Sequence, residues 1–431
     1  MQNNKSNSGA FYDRDKFNSI IEILTKLGGY KSISPDNAGC FDYIESFLNN
    51  LGFHVIVKQF VDTKNLYAEI GLKESMIDQL KVYGKSQNYS LKNNFINFCF
   101  AGHIDVVPPG PNWNDDPFTL VIKDEKVQFR GACDMKGAIG VFMQAIKDFI
   151  NSNSQYFCDP KDAKMKISVL LTGDEEADAT NGTQKMIEWL DNNDYKITHC
   201  ILGEPTSIQN TGDNIKTGRR GSINFDIKAV GKQGHVAYPE NLTNPNNFLF
   251  VALNNFRKEI QLQIIDKEIS FEVTELLCEN KTTNLVLDTS SAKFNTRYLG
   301  KYSSNQIISL VEKSLLKTSQ NLFSYSISNI PINYTLTYKI GADSFEQNFE
   351  DEEINFLQIV SQSIEEVGLP TPSTINNGGT SDARFLHKYC KIIECGFKYE
   401  TAHQKNEYIS CKCIENLYNI YSAILKNFWH I

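Results

Sequence analysis

His103 and Asp105 follow an apolar run, Phe95 to Phe100, that reads as a buried strand. Alternation along a strand sends the two side chains to one side, two residues apart. A neutral imidazole is a good zinc ligand, and a carboxylate beside it can fix the ring's tautomer and orientation. Further candidates stand in comparable places. Asp134 lies between a strand-like run (Lys126 to Gly131) and a helix (Met135 to Ile150). Asp174-Glu175-Glu176 ends the apolar run Lys164 to Thr172. Glu204, in Gly203-Glu204-Pro205, follows a strand at 199–203, and His403 follows one at 391–397. Open α/β sheets place their sites beyond the carboxyl ends of the strands, so His103, Asp134, Glu176, Glu204 and His403 can converge. Two histidines and three carboxylates suit zinc with no cysteine required. A pair of metals could share Asp134, each completed by one histidine and one glutamate. Glu175 is then a spare acid, expected to turn toward solvent while Glu176 turns to the metal. It would take the proton of a metal-acidified water and pass it to a leaving amine, which is machinery for amide hydrolysis. Taken singly, the pieces have plainer readings: the acid triplet as a solvated helix start, Glu204 as an exposed turn, His403 as a surface histidine.

The elements that must position these residues alternate. Phe17, Ile20, Ile21, Leu24 and Leu27 keep helical spacing up to Gly28-Gly29, and Ser34-Pro35 opens a second helix that ends at Gly52. Strand-like runs follow at 53–60 and 65–70, a polar insertion at 83–94, and then strands and helices in turn, including a helix at 183–190. That order predicts an α/β fold with a mostly parallel central sheet, covered on both faces. Near residue 216 the rhythm changes. Strand 222–230, helix 245–258, strands 270–276 and 284–299, helix 305–318 and strand 324–340 give a βαββαβ, ferredoxin-like order, an α+β domain inserted into the first. The expected organisation is a tail at 1–12, a metal-binding domain at 13–218 and 337–431, and an inserted domain at 219–336. Helices at 351–367 and 412–427 complete the first domain.

Composition narrows the partners. A formal net charge of −8 argues against nucleic acid and anionic membranes. The first ten residues are polar, without the apolar core of a signal peptide, and no apolar run approaches a membrane span. The ten cysteines are scattered without CxxC pairs, which fits reduced thiols in a cytoplasm better than a disulfide framework.

Four motifs, His103-Ile-Asp105-Val-Val-Pro-Pro-Gly110, Asp134-Met-Lys-Gly137, Asp174-Glu-Glu176 and Gly203-Glu-Pro205, closely resemble the di-zinc deacylase and exopeptidase family. Thr217-Gly-Arg-Arg-Gly-Ser222, Gln233-Gly-His-Val-Ala-Tyr-Pro239 and Gly378-Gly-Thr-Ser-Asp-Ala-Arg-Phe385 extend the resemblance over both domains, most specifically to one branch of that family. The resemblance implies a zinc-exopeptidase-like catalytic domain with an inserted dimerisation domain, and two Zn2+ per subunit, with Co2+ able to substitute. His103 and Glu204 would bind one zinc, Glu176 and His403 the other, and Asp134 both. Asp105 would orient His103, and Glu175 would be the general acid and base. It also implies a homodimer in which His235, with Tyr238 and Asn284, reaches the partner's active site and helps stabilise an oxyanion. Arg219, Ser222, Arg297, Gly379 and Thr380 match positions lining a pocket for a small substrate rich in carboxylates, which arginine forks suit. Three positions depart from the branch's pattern: Tyr399 stands where asparagine is usual, Thr283 replaces the first of two asparagines, and Ala383 stands for glycine. None removes a metal ligand; Tyr399 and Thr283 bear on the fit of the acyl group.

Overall fold

The structure is a computed structural model that describes residues 13–73, 95–263, 268–321, 330–350 and 354–429. The expected tail at 1–12 and the insertion at 83–94 lie outside the described residues. By its contacts the chain forms two compact units. The first comprises Met1–Thr217, Gln347–Ile375 and Ser381–Ile431, the second Gly218–Glu346 and Asn376–Thr380.

The first unit is built on one sheet. Its strands run in the order His54–Phe60, Thr63–Leu72, Met165–Thr172, Ile96–His103, His199–Leu202, Lys391–Glu394, Asn214–Lys216 and Ser373–Ile375, with Phe157–Cys158 paired beside Thr63–Leu72. The four in the middle, from Met165–Thr172 to Lys391–Glu394, are all parallel, and the first two strands run antiparallel at one edge. All eight residues of Ile96–His103 are buried. Because successive side chains face opposite ways, both faces of the sheet there are covered, as a parallel sheet requires. From this strand the chain goes first to Met165–Thr172 on one flank and then to His199–Leu202 on the other. The topology therefore reverses at the carboxyl end of Ile96–His103, where His103 is the last residue.

Packing explains why this end is firm. Phe100 stacks on Phe142 of the Lys136–Ser152 helix, with ring centroids 4.1 Å apart. Burying each such ring contributes about 1.5–3 kcal/mol. That helix also lies close against Arg14–Gly29: a Cβ on Gly140 would stand 2.5 Å from Leu24 Cδ2, so a larger residue there would have to push the Leu24 side chain aside. The closing helix, Cys411–Trp429, packs on the same helix and ties Tyr421 Oη to the Cys395 carbonyl at 2.7 Å.

The second unit carries an antiparallel sheet in the order Ile269–Leu277, Thr289–Tyr298, Gly221–Val230, Asn333–Ala342, with helices Pro245–Gln263 and Ser304–Gln320 packed on each other. In chain order these elements are the expected βαββαβ. A capping box, Ser303 with Gln306, starts the second helix.

Several expected boundaries move. A break at 336/337 would cut the Asn333–Ala342 strand, which is laddered to Gly221–Val230 along its length; the second unit therefore extends to Glu346 and takes in Asn376–Thr380. The second helix begins at Cys40 rather than after Pro35. There the Asp36 and Asn37 side chains accept from the backbone N–H of Ala38 and Gly39, forming turns that compete with a helix start. The strand expected at 284–299 is two, Leu285–Val286 and Thr289–Tyr298. Among the described residues no helix is long and apolar enough to cross a membrane.

Candidate metal centre

The parallel register sets His103 opposite Thr172 and Ala101 opposite Leu202. The residues just beyond these ends, Asp174 to Glu176 on one flank and Glu204 on the other, thus flank His103. The Asp174–Glu176 segment is a turn, not the start of a helix: Ala177 and Ala179 donate to the Asp174 carbonyl, Asn181 N donates to Asp174 Oδ2 at 2.7 Å, and the next helix begins at Thr183.

His103 is buried and held from behind. Its Nδ1 lies 3.0 Å from the carbonyl oxygen of Asp105. A carbonyl can only accept, so Nδ1 carries the proton and Nε2 presents its lone pair to the site. The Asp105 side chain, expected to orient the ring, has a second task. Its carboxylate is 3.6 Å from Nδ1 and accepts from the backbone N–H groups of Glu175 and Glu176, at 3.3 and 3.0 Å. Asp105 thereby fixes both the imidazole and the turn that bears the two glutamates.

Asp134 lies between the two histidines. Its Oδ1 is 3.4 Å from His103 Nε2 and its Oδ2 is 3.2 Å from His403 Nε2. Glu204 Oε1 is 3.7 Å from His103 Nε2, and Glu176 Oε1 is 2.9 Å from His403 Nε2. Sequence positions spanning three hundred residues thus form two half-sites joined by one carboxylate. Glu175 differs from its expected orientation. It does not turn to solvent but lies largely buried on the His103 side, its Oε2 3.9 Å from Nε2, while Glu176 faces His403. Adjacent residues in a turn diverge, so the two acids flank the cluster from different sides.

The donor set fits divalent cations. His103 Nε2 and Asp134 Oδ1 are buried and make no hydrogen bond among the described residues, although they face each other. Two buried polar atoms left in that state are costly unless a third partner takes both. His103 with Glu175 and Glu204, and His103 with Asp134 and Glu176, each bring ligand atoms close enough to share one ion.

The electrostatics agree. Burial alone would lower the His103 imidazole; Asp134, then Asp105, Glu175 and Glu204, outweigh it and hold the ring well above its ordinary value. Hydrogen bonding to Asp134 and then Glu176 pushes His403 up to about 10. Burial, followed by Glu204, pushes the Glu175 carboxyl well above the usual carboxylate range, a direction that suits a group that holds a proton and gives it up. Positive charge is demanded here, as protons or as metal ions.

Sequence reading missed Glu407. It is fully buried and accepts from Arg130 Nη1 and from the backbone N–H of Gly131, Cys133 and Asp134. In the polar stretch Gln404-Lys-Asn-Glu407 nothing marks it off from a surface acid. The strand expected at 126–131 stops at Gln128: Phe129 N donates to the Glu407 carbonyl, Arg130 N to the Pro117 carbonyl and Gly131 N to the Glu407 carboxylate, instead of continuing a ladder.

The second unit carries the remaining candidates in two groups. His235 pairs with Leu285 in a short ladder, Val236 N donates to the Asn284 carbonyl at 3.1 Å, and the His235 and Tyr238 rings are 5.7 Å apart. His235, Tyr238 and Asn284 therefore share one exposed corner. In the other group Arg219 Nη1 donates to the Gly379 carbonyl at 2.8 Å, next to Thr380 in the chain, and Arg297 stands opposite Ser222 on adjacent strands. Arg297 Nε is held by Asn295 at 3.0 Å, and Asn295 also reaches Ser222 Oγ at 3.2 Å. Tyr399, the residue in the asparagine position, is exposed.

Comparison with known proteins agrees with this geometry. Residues 99–427 match peptidase family M20/M25/M40. A succinyl-diaminopimelate desuccinylase of Rickettsia bellii (strain OSU 85-389) is 37% identical over 414 residues, covering 93% of this chain and 95% of the relative. Among solved structures, the aminopeptidase PepT of Bacillus cereus superposes with a TM-score of 0.71 at 16% identity, covering 95% of this chain and 98% of that one. A dinuclear metal-binding peptidase of the M20 family from Bacillus subtilis superposes with a TM-score of 0.64 at 13% identity, covering 96% and 99%.

Proposed function

Because this chain belongs to peptidase family M20/M25/M40, we propose that its cluster is a two-zinc centre that hydrolyses N-succinyl-LL-2,6-diaminopimelate to succinate and LL-2,6-diaminopimelate. The observation that carries the reading is Asp134, whose two oxygens are directed one to each histidine. The near full-length likeness to a desuccinylase supports the choice of substrate.

His103 and Glu204 would hold one cation, His403 and Glu176 the other, and Asp134 both; zinc suits the set, and Co2+ shares its preference for imidazole and carboxylate. When bound, the cations polarise the amide carbonyl and acidify the attacking water. Glu175 takes one proton from that water and delivers it to the departing nitrogen, and the second, from the hydroxyl of the new carboxyl group, follows to the amine, so that succinate leaves as a carboxylate and the diamine as an ammonium. Asp105 keeps His103 in the tautomer that offers Nε2 and holds Glu175 by its backbone. Arg219 and Arg297, with Ser222, Gly379 and Thr380, bind the substrate's carboxylates. His235, with Tyr238 and Asn284, acts in the partner's active site of a homodimer, donating to the developing oxyanion. The ten free cysteines fit a cytoplasmic protein.

The test is succinate release from N-succinyl-LL-2,6-diaminopimelate against acetate release from N-acetylornithine, before and after chelation and return of zinc. The proposal expects zinc-dependent release of succinate and little acetate. Preference for N-acetylornithine would redirect the reading to a related deacylase, and turnover indifferent to chelation would end it.

A further inference from the structure

Glu407 has no place among the ligands or the proton carriers, yet it is the most heavily used carboxylate beside them. Its Oε1 accepts from Cys133 N at 2.8 Å and Asp134 N at 3.1 Å. Its Oε2 accepts from Gly131 N at 3.0 Å and Arg130 Nη1 at 2.7 Å. Four donors on a side chain that is 0% exposed specify one backbone path from Arg130 to Asp134. That path is tight: Gly131 has φ +87° and Gly137 N returns to the Gly131 carbonyl at 3.2 Å. The other end of the link is the segment that bears His403. Glu407 is four residues on, and its neighbour Tyr408 exchanges hydrogen bonds with Thr401, Oγ1 to carbonyl at 2.8 Å and N to Oγ1 at 3.2 Å. His403 itself sits in the left-handed region at φ +62°, which an unsupported histidine does not favour. Arg130 extends the tie, its Nη2 donating to the Pro109 carbonyl at 3.3 Å in the loop after His103.

We propose that Glu407 is a positioning residue that locks the Asp134 backbone to the His403 segment and so sets the geometry of the cation site on the His403 side. The inference rests on the two-cation reading above. The two half-sites depend on it unequally. On one side His103 ends a sheet strand, Glu204 stands two residues past another, and Asp134 alone is held by Glu407. On the other both Asp134 and His403 are held through it. Glutamine at 407 keeps one acceptor oxygen and turns an amino group toward two of the four donors, so the loop loosens without a change of volume.

The experiment is calorimetric titration of the full-length, metal-free protein with Zn2+, with thermal unfolding recorded alongside. Wild type should bind two ions; a single ion would defeat the two-cation reading itself, independently of Glu407. In Glu407→Gln one ion should bind with near wild-type affinity and the other about 10–100-fold more weakly. Arg130→Lys, which leaves the three backbone bonds in place, should show the same pattern with a smaller loss. Phe428→Leu, a core substitution away from the cluster, should lower the melting temperature and leave both affinities unchanged. Two ions bound by both site variants with the wild-type affinity ratio would overturn the proposal, as would equal weakening of the two. Should Glu407→Gln not fold, the ratio in Arg130→Lys decides.

Discussion

The Asp105 carboxylate accepts a hydrogen bond from the backbone N–H of Glu176 at 3.0 Å, joining residues 71 positions apart at the ends of neighbouring parallel strands. The same carboxylate takes the Glu175 N–H, and the same residue's carbonyl holds His103. An asparagine there can accept one N–H and must turn its amino group toward the other. Asp105→Asn should therefore lower kcat/KM about 10–100-fold, with the fold intact by circular dichroism. Wild-type kinetics in that variant would remove Asp105 from the account.

Glu175 is proposed to carry the proton while its neighbour Glu176 holds a cation. Glu175→Gln should retain two zinc ions per chain by elemental analysis while kcat falls about 10²–10⁴-fold, the usual worth of general acid–base catalysis. Near-normal turnover would refute its role as proton carrier.

The arginines of the second unit are proposed to bind the substrate's carboxylates. Arg297 is partly buried beside Arg220, and burial, then that neighbouring charge, lower its guanidinium from the ordinary value, a direction that favours an anionic partner. Arg297→Met should raise KM for the succinylated substrate about 10–100-fold, the worth of a charge-assisted hydrogen bond, with a smaller change in kcat. An unchanged KM would place the substrate's carboxylates elsewhere.

Acid stability has one identifiable contributor away from the cluster. His199 is 8% exposed, between the rings of Phe356 and Phe428, and burial, then Lys391, lower its imidazole to about 4. The unfolded chain titrates near 6.5 and so binds more protons than the folded one between about pH 6.5 and 4. Stability is therefore full above that window and falls through it, by about 3 kcal/mol for this group, with no further loss below. His199→Gln should flatten the dependence of denaturant midpoint on pH in that interval; an unchanged slope would show that other groups govern it.

How much of this was legible in the sequence depends on how each residue is fixed. His103, Glu176 and Glu204 stand just beyond unbroken apolar runs, and burial of Phe98, Phe100 or Leu171 leaves such strands little freedom of register. Those positions, and the βαββαβ order of the second unit, could be read directly. Asn214–Lys216 and Ser373–Ile375 could not: at three residues each they are defined by their neighbours, pairing with each other and, at Lys216, with Glu394. Glu407 was hidden for a related reason, since what makes it structural is four donors brought by a loop 273 to 277 residues earlier, and composition carries no trace of them. The direction of Glu175 is not legible in the sequence, because which side of the cluster each of two adjacent acids faces is decided by the turn that Asp105 and Asp174 impose.

Asp134 is proposed to join two cations. Anomalous X-ray scattering at the zinc edge, from crystals of the protein grown with zinc, tests this directly. Two peaks about 3.5–4 Å apart, one on each side of the Asp134 carboxylate, with His103 and Glu204 at one and His403 and Glu176 at the other, is the predicted result. A single peak, or peaks away from Asp134, would contradict it.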